Sequence, residues 1–158
     1  MKRNILLPFD GSTNAIAALQ QAIILAKALD EEVILLNVQP TFHTAHTKLF
    51  FNENEIHEYQ LQLCQETADP AIQILKDSGA SFEVRLRVGV PKDIIVQEAS
   101  REGEDGVRLI VMGSRGLNPI IGAFLGTTSY GVLQEAPCPV LIVPYRETEE
   151  PEAGPQLP

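Results

Sequence analysis

A glycine-rich segment in the last third of the chain carries the residue types best suited to chemistry. It contains Gly113-Ser114-Arg115-Gly116 and, after nine further residues, Gly126-Thr127. An apolar run typical of a buried strand precedes this segment, and a short helical pattern follows it. The first N–H groups of a helix lack internal partners, and the helix dipole adds positive potential there. The arrangement therefore predicts an anion site.

Residues at the start of that helix favour the same chemistry. Gly126 has no Cβ, so an anion can approach the main chain closely. Thr127, Thr128 and Ser129 add hydroxyl donors. Three or four hydrogen bonds of about 1.5–3 kcal/mol each reach the roughly −8 kcal/mol of micromolar binding before ordering costs. The alternative is a turn in which the glycines serve backbone geometry alone.

Asp10, which follows the first apolar run, is the second candidate. Ligands of open α/β sheets bind beyond the carboxyl ends of the strands, where the strand order reverses. With the order 3-2-1-4-5, Asp10 and Gly113 face each other across that crevice, and the carboxylate can accept hydrogen bonds from ribose hydroxyls. With the flavodoxin-like order 2-1-3-4-5, the glycine segment lies away from the crevice. Alternatively, Asp10 caps the first helix or its turn.

Alternating strands and helices are predicted to position these residues. Apolar runs predict strands at 4–8, 33–38, 81–88, 108–112 and 139–143, the third of which alternates and suits a sheet edge. Helical spacing predicts helices at 14–30, 53–78, 91–102 and 127–135. Leu29, Tyr59 and Ile94 are expected to face the core, and Pro70 to break or kink its helix. The pattern predicts a single-domain α/β fold, with an open parallel five-stranded sheet and helices on both faces.

The composition of the chain limits the classes of partner and the cellular location that can be expected. The 158 residues suit one domain, and 21 acidic against 12 basic residues give a net charge of −9. No basic stripe is present, so nucleic acid is not an expected partner. No apolar run approaches a membrane span or a signal-peptide core, and two cysteines are too few for a disulfide framework. A cytoplasmic location without membrane insertion is therefore expected.

Several catalytic signatures are missing from the sequence. There is no Gly-x4-Gly-Lys-Ser/Thr loop, no Gly-x-Gly-x-x-Gly after the first strand and no Gly-x-Ser-x-Gly elbow. His43, His46 and His57 have no cysteine or carboxylate partner at ligand spacing, so no metal ligand is assigned. No base stands beside the glycine segment in sequence, so efficient hydrolysis is not expected and no catalytic residue is assigned.

As a set, these motifs resemble those of the universal stress protein family. Pro8-Phe9-Asp10-Gly11-Ser12 resembles the family's opening after the first strand, and Gly89-Val90-Pro91 its third-strand exit. Residues 109–116 resemble its fourth strand and loop, and Gly126-Thr127 with 136–141 resembles its end. The spacing Gly-x2-Gly-x9-Gly-Ser/Thr is that of the ATP-binding members. The resemblance covers residues 2–144.

The resemblance implies a Rossmann-like, adenine nucleotide alpha hydrolase-like sheet of order 3-2-1-4-5. It implies a universal stress protein domain over 1–145, followed by an acidic, proline-rich disordered tail over 146–158. The implied cofactor is ATP with Mg²⁺ or Mn²⁺, with adenine near Val38 and Pro8. The ATP-binding residues that it implies are Pro8, Phe9, Asp10, Val38, Met112, Gly113, Arg115, Gly116, Gly126, Thr127, Thr128 and Ser129.

The implied function is regulation in the stress response, through nucleotide-dependent conformation and binding of a protein partner that the sequence does not identify. Family members commonly pair through their last strand, so a homodimer through 139–143 is implied. The alternatives are a nucleotide-independent dimeric adaptor and an enzyme, either a slow ATPase or an adenylating enzyme. The adenylating enzymes of the wider group need a Ser-Gly-Gly-x-Asp-Ser loop, which residues 9–12 do not match.

One departure from the family concerns charge. No charged residue occurs from Leu117 to Gln134, where relatives often carry Lys or Arg. Arg115 is the one cation of this loop, so a triphosphate requires Arg115, a divalent ion or a distant residue for neutralisation. The apolar stretch 119–125 is interpreted as a lid, a partner surface or an ordinary packed loop.

Overall fold

A five-stranded parallel sheet with the order β3-β2-β1-β4-β5 forms the centre of the fold. The computed structural model describes residues 3–41, 49–115 and 125–144. The strands are β1 (Asn4–Pro8), β2 (Glu32–Gln39), β3 (Phe82–Val88), β4 (Val107–Gly113) and β5 (Val140–Val143). The predicted order is confirmed, and the strand order reverses between β1 and β4. The alternating strand, β3, is an edge strand as predicted.

Helices cover both faces of this sheet. They are α1 (Thr13–Leu29), α2 (Glu53–Ser78), α3 (Pro91–Ala99) and α4 (Thr127–Glu135). Ile5 and Leu7 pack toward α1 and α2, whereas Leu6 packs toward α3 and α4. Successive strand residues point to opposite faces, so a strand covered on both sides must be apolar throughout. This explains the unbroken apolar runs of β1 and β2.

Local signals fix where the first two helices begin and end. The Ser12 hydroxyl caps α1 by accepting from the Ala15 N–H at 3.1 Å. Asn52 and Glu55 form a capping box at the start of α2, with two reciprocal bonds of 2.9 Å. Gly79 ends α2 with φ +72°, a conformation that glycine adopts without strain. The predicted boundaries of α2 and α4 agree with the structure.

Four details of the predicted helices were wrong. Leu29 is exposed because it is the last residue of α1, and the buried stripe ends at Ala26. Tyr59 is 58% exposed, because the buried stripe of α2 passes through Gln60 instead. Ile94, in contrast, packs against the core as expected, although it is only half-buried.

The helix α3 ends at Ala99, three residues early, since the Ser100 hydroxyl donates to the Val96 carbonyl at 2.7 Å and a 3₁₀ turn (Gly103–Asp105) follows. The helix α2 continues through Pro70 without a break. Pro70 lacks the N–H that would bond the Glu66 carbonyl. Both residues lie on the exposed face of α2, so water can satisfy that carbonyl.

A buried ionic cluster joins the edge strand β3 to α3. Arg85, 4% exposed, contacts Glu98, 3% exposed, at 2.9 Å, and also Glu83 at 2.7 Å and Asp105 at 2.8 Å. Glu98 also receives Arg87 at 2.9 Å and Arg101 at 3.1 Å. The hydrogen bond from Arg85 lowers the pKa of the Glu83 carboxyl. The cluster balances three guanidinium groups with three carboxylates, so its buried charges are paired.

Candidate functional site

A cleft of about 340 Å³ opens at the carboxyl ends of β1, β2 and β4. This is the place where open α/β sheets bind ligands, because the strand order reverses there. The cleft is lined by every predicted site residue that the structure describes, namely Pro8, Phe9, Asp10, Val38, Met112, Gly113, Arg115, Gly126, Thr127, Thr128 and Ser129. Gly116 and residues 117–124 lie outside the described residues. Ala15, Leu36, Asn37, Gln39, Pro40, Pro91 and Ile95 complete the lining, and the prediction did not include them.

The N-terminus of α4 presents main-chain donors to this cleft. Gly126 is the N-cap residue in an extended conformation, and no side chain caps the helix. The first intrahelical bond at this end runs from the Tyr130 N–H to the Gly126 carbonyl at 2.9 Å. The N–H groups of Thr127, Thr128 and Ser129 precede that bond, and no acidic residue stands in the first turn. The helix start therefore combines N–H donors that no described residue bonds with the positive end of a dipole.

Two hydrogen bonds hold the glycine segment against α4. The Gly126 N–H donates to the Ser114 carbonyl at 2.6 Å, and the buried Ser129 hydroxyl donates to the Gly113 carbonyl at 2.8 Å. Ser129 was predicted to offer its hydroxyl to an anion, but that hydrogen is used within the protein. Its side chain instead fixes the helix start against the end of β4, while its main-chain N–H lies in the uncapped turn.

Asp10 takes the predicted role in the turn before α1, and its carboxylate keeps one oxygen for the other predicted role. One carboxylate oxygen, Oδ1, accepts from the Ser12 N–H at 2.9 Å and thereby stabilises the turn into α1. The other oxygen, Oδ2, accepts no hydrogen bond from the described part of the chain. Because Asp10 also lines the cleft, this second oxygen can accept from a ligand hydroxyl. The turn fixes the carboxylate without using all of its accepting capacity.

Asn14 joins α1 to the glycine segment. Its side chain is 4% exposed, and Nδ2 donates to the Arg115 carbonyl at 3.0 Å and contacts the Ser114 hydroxyl at 3.4 Å. A Cβ on Gly113 would lie 2.6 Å from the same Nδ2. Gly113 is therefore needed for packing against Asn14, and not for a positive φ. In the sequence, Asn14 is a polar residue beside the alanine-rich buried face of α1, and this departure from the apolar pattern could have indicated the contact.

The opposite end of the cleft exposes the main chain of β2. The last pairing of β1 with β2 is Pro8 with Leu36, so β2 continues past its neighbour. The Gln39 carbonyl accepts from the Gly89 N–H at 2.9 Å, toward β3. In a parallel strand the next residue back, Val38, faces the β1 side. No described residue bonds the Val38 N–H or carbonyl, which leaves a donor and an acceptor side by side.

Few charges lie around the cleft. Among its described lining residues, Asp10 and Arg115 are the charged ones. Lys92, which follows Pro91, pairs with Glu135 at 2.8 Å and Asp93 at 3.1 Å, and the bond to Glu135 raises the pKa of its ammonium group. Within 3–41, 49–115 and 125–144 no three His, Cys, Asp or Glu side chains cluster closely enough to hold a metal. His43 and His46 lie outside these ranges.

Comparison with known proteins identifies the family. The profile of the universal stress protein family matches residues 1–144, so the chain belongs to this family. A putative universal stress protein from Staphylococcus epidermidis is 30% identical over 162 residues, covering 98% of this chain and 94% of the relative. No helix in the described ranges is long and apolar enough to cross a membrane.

Solved structures share the fold. The hypothetical protein MJ0577, whose structure was used to assign its biochemical function, matches with a TM-score of 0.79 and 30% identity over 94% of this chain and 99% of its own. A universal stress protein in complex with cAMP matches with a TM-score of 0.59 and 26% identity, over 90% and 96% of the chains. The Archaeoglobus fulgidus protein in complex with dAMP has a TM-score of 0.63 over 90% and 97% of the chains, but at 23% identity it shows the fold alone.

Proposed function

We propose that this chain binds ATP in the cleft and regulates a protein partner in the stress response through nucleotide-dependent conformation. The uncapped start of α4 carries the proposal, because it places three main-chain N–H groups beside Gly113 and opposite Asp10. Such a group of donors binds phosphate. The complex of a structural neighbour with cAMP supports an adenine nucleotide as the ligand. We place the protein in the cytoplasm, where cell fractionation is expected to recover it.

The proposed position of the nucleotide follows from the groups around the cleft. The phosphates lie against Gly113 and the first turn of α4, and the ribose lies at the second oxygen of Asp10. Adenine lies at Val38, whose N–H can donate to the ring nitrogen N1 and whose carbonyl can accept from the 6-amino group. The buried side chains of Met112 and Ile95 provide an apolar wall at the same end.

Charge balance supports a divalent cation bound together with ATP. Arg115 is the one cation among the described lining residues, and the sequence has no charge from Leu117 to Gln134. A triphosphate carries more negative charge than one guanidinium neutralises. Mg²⁺ or Mn²⁺ fits this need, because such ions are commonly held by substrate phosphates with one or two carboxylates. The one carboxylate of the described lining, Asp10, is assigned to the ribose, so we expect the phosphates to supply the ligands of the ion.

The proposed function is binding of ATP rather than its efficient hydrolysis. The described lining contains no histidine and no carboxylate other than Asp10, whose position we assign to the ribose. The test compares phosphate release and ATP binding by the wild type and by Gly126→Val. The extended conformation of Gly126 suits valine, so the variant is expected to fold and to lose ATP binding because its side chain blocks the phosphate. Phosphate release by the wild type above that of the variant would instead indicate an ATPase.

We also propose a homodimer that pairs through β5. This edge strand is short, no residue of it is fully buried, and Leu141 is 38% exposed. Pairing two copies would satisfy the open main-chain groups of the edge and cover Leu141. Sedimentation is expected to give a dimer for the wild type and a monomer for Leu141→Lys. A wild type that sediments as a monomer at the same concentration would refute the dimer.

A further inference from the structure

At the end of the cleft where we place adenine, the side-chain amides of Asn37 and Gln39 form a chain of hydrogen bonds. Donation along this chain can run in one direction only. The Asn37 side chain is buried, and its Nδ2 lies 2.7 Å from the carbonyl oxygen of Phe9. A carbonyl can only accept, so Asn37 must direct its NH₂ group there. Its Oδ1 is therefore the atom that meets the Gln39 amide, at 3.2 Å. An acceptor at that position requires the NH₂ group of Gln39.

The orientation of Gln39 follows from this chain. Nε2 donates to Asn37 Oδ1 and lies 3.4 Å from the Thr67 hydroxyl, so both of its hydrogens have partners. The Gln39 carbonyl is held by the Gly89 N–H, and the next carbonyl, that of Pro40, accepts from the buried Gln60 amide at 3.2 Å. The main chain around Gln39 is thus fixed on both sides. What remains of the Gln39 amide is its oxygen, which accepts no hydrogen bond within the described ranges.

We propose that Gln39 contributes to base specificity in the nucleotide cleft, because its amide oxygen is a second acceptor, beside the Val38 carbonyl, for the 6-amino group of a purine. This inference rests on the proposed function, since it concerns the ligand of the same cleft. Gln39 lines the cleft beside Val38 and is a half-buried residue, so a ligand in the cleft can approach it. Because the anchor at Phe9 prevents the amides from inverting, Gln39 cannot offer a donor instead. A base with a 6-oxo group is rejected, as two acceptors would meet.

The test measures how strongly Gln39 is coupled to the 6-amino group. The wild type and Gln39→Leu are titrated with ATP and with purine riboside triphosphate, which keeps N1 as an acceptor but lacks the amino group. For each protein, the ratio of the two affinities gives the contribution of the 6-amino group to binding. The difference between the ratios of the wild type and Gln39→Leu gives the part of that contribution that depends on Gln39. Gln39→Leu is expected to lower the preference for ATP about threefold to tenfold, the value of one hydrogen bond. Gln73→Leu, at an exposed glutamine of α2 that bonds Asp77, is the matched control and should keep the wild-type ratio.

The outcomes separate this inference from the proposed function. If the wild type binds ATP and Gln39→Leu keeps the wild-type preference, the specificity role of Gln39 is refuted and the ATP site stands. If the wild type binds neither triphosphate, the proposed function fails and the inference fails with it. A reduced preference with unchanged binding of purine riboside triphosphate supports Gln39 as a specificity determinant, because the phosphate end is then intact.

Discussion

Gly126→Asp is expected to abolish ATP binding while leaving the free protein as stable as the wild type or slightly more stable. Aspartate is a favoured N-cap residue, and its charge interacts well with the start of a helix dipole. Since α4 has no side-chain cap, the variant should gain a few tenths to about 1 kcal/mol in the free energy of unfolding. The same carboxylate stands where the phosphates are proposed to bind. Two charges about 4 Å apart near a protein surface repel by about 4 kcal/mol, so affinity should fall at least about 100-fold.

The opposite signs of these two effects make the experiment informative. Calorimetry gives the affinity, and thermal unfolding without nucleotide gives the stability. Gly126→Asn is the matched control, because it has nearly the same size and capping ability without the charge. We expect it to lose less affinity than Gly126→Asp. Equal ATP affinity of Gly126→Asp and the wild type would mean that the phosphates do not lie at the start of α4.

Glu98→Gln is expected to lower the free energy of unfolding by about 2–4 kcal/mol, because it removes a buried charge that is paired with three guanidinium groups. Arg85 is the partner that determines this cost, since it is 4% exposed and cannot turn toward water. In the variant, Arg85 keeps its ion pairs with Glu83 and Asp105, so we expect the protein to be destabilised but still folded. Denaturant unfolding measures the change directly.

Glu58→Gln provides the control for this substitution, because Glu58 is an exposed residue of α2. Its effect should stay within about 0.5 kcal/mol. ATP affinity of folded Glu98→Gln should match that of the wild type, since Glu98 does not line the cleft. A change in stability as small as that of the control would show that the ionic cluster contributes nothing net. In that case the ion pairs would be present in the structure without contributing to the free energy of unfolding.

The sequence predicted the sheet and the cleft because both depend on patterns that run along the chain. Unbroken apolar runs required a sheet covered on both faces, and the glycine-threonine motif had to follow one of its strands. The residues alone left two strand orders open, and the family resemblance selected the order that the structure shows. That order brings Asp10 and Gly113 to one crevice. The end of α2 and the start of α4 could be predicted from Gly79 and Gly126, because glycine acts locally at helix boundaries.

The remaining features depend on contacts between distant segments. Asn14 and Ser114 are far apart in the sequence and meet only because β1 and β4 are neighbours. The Ser129 hydroxyl has its partner at the end of another strand. Gln60 is buried in preference to Tyr59 because its amide reaches the Pro40 carbonyl after β2. Side-chain type alone does not specify such partners.

ATP binding at one site per chain is the central claim, and calorimetric titration of nucleotide-stripped protein tests it most directly. ATP with Mg²⁺ is titrated alongside AMP under identical conditions. We expect micromolar affinity for ATP with a stoichiometry of about one, and much weaker binding of AMP, because AMP lacks the β- and γ-phosphates that α4 is proposed to hold. No heat and no competition with any adenine nucleotide would contradict the claim, and the glycines would then serve the fold alone.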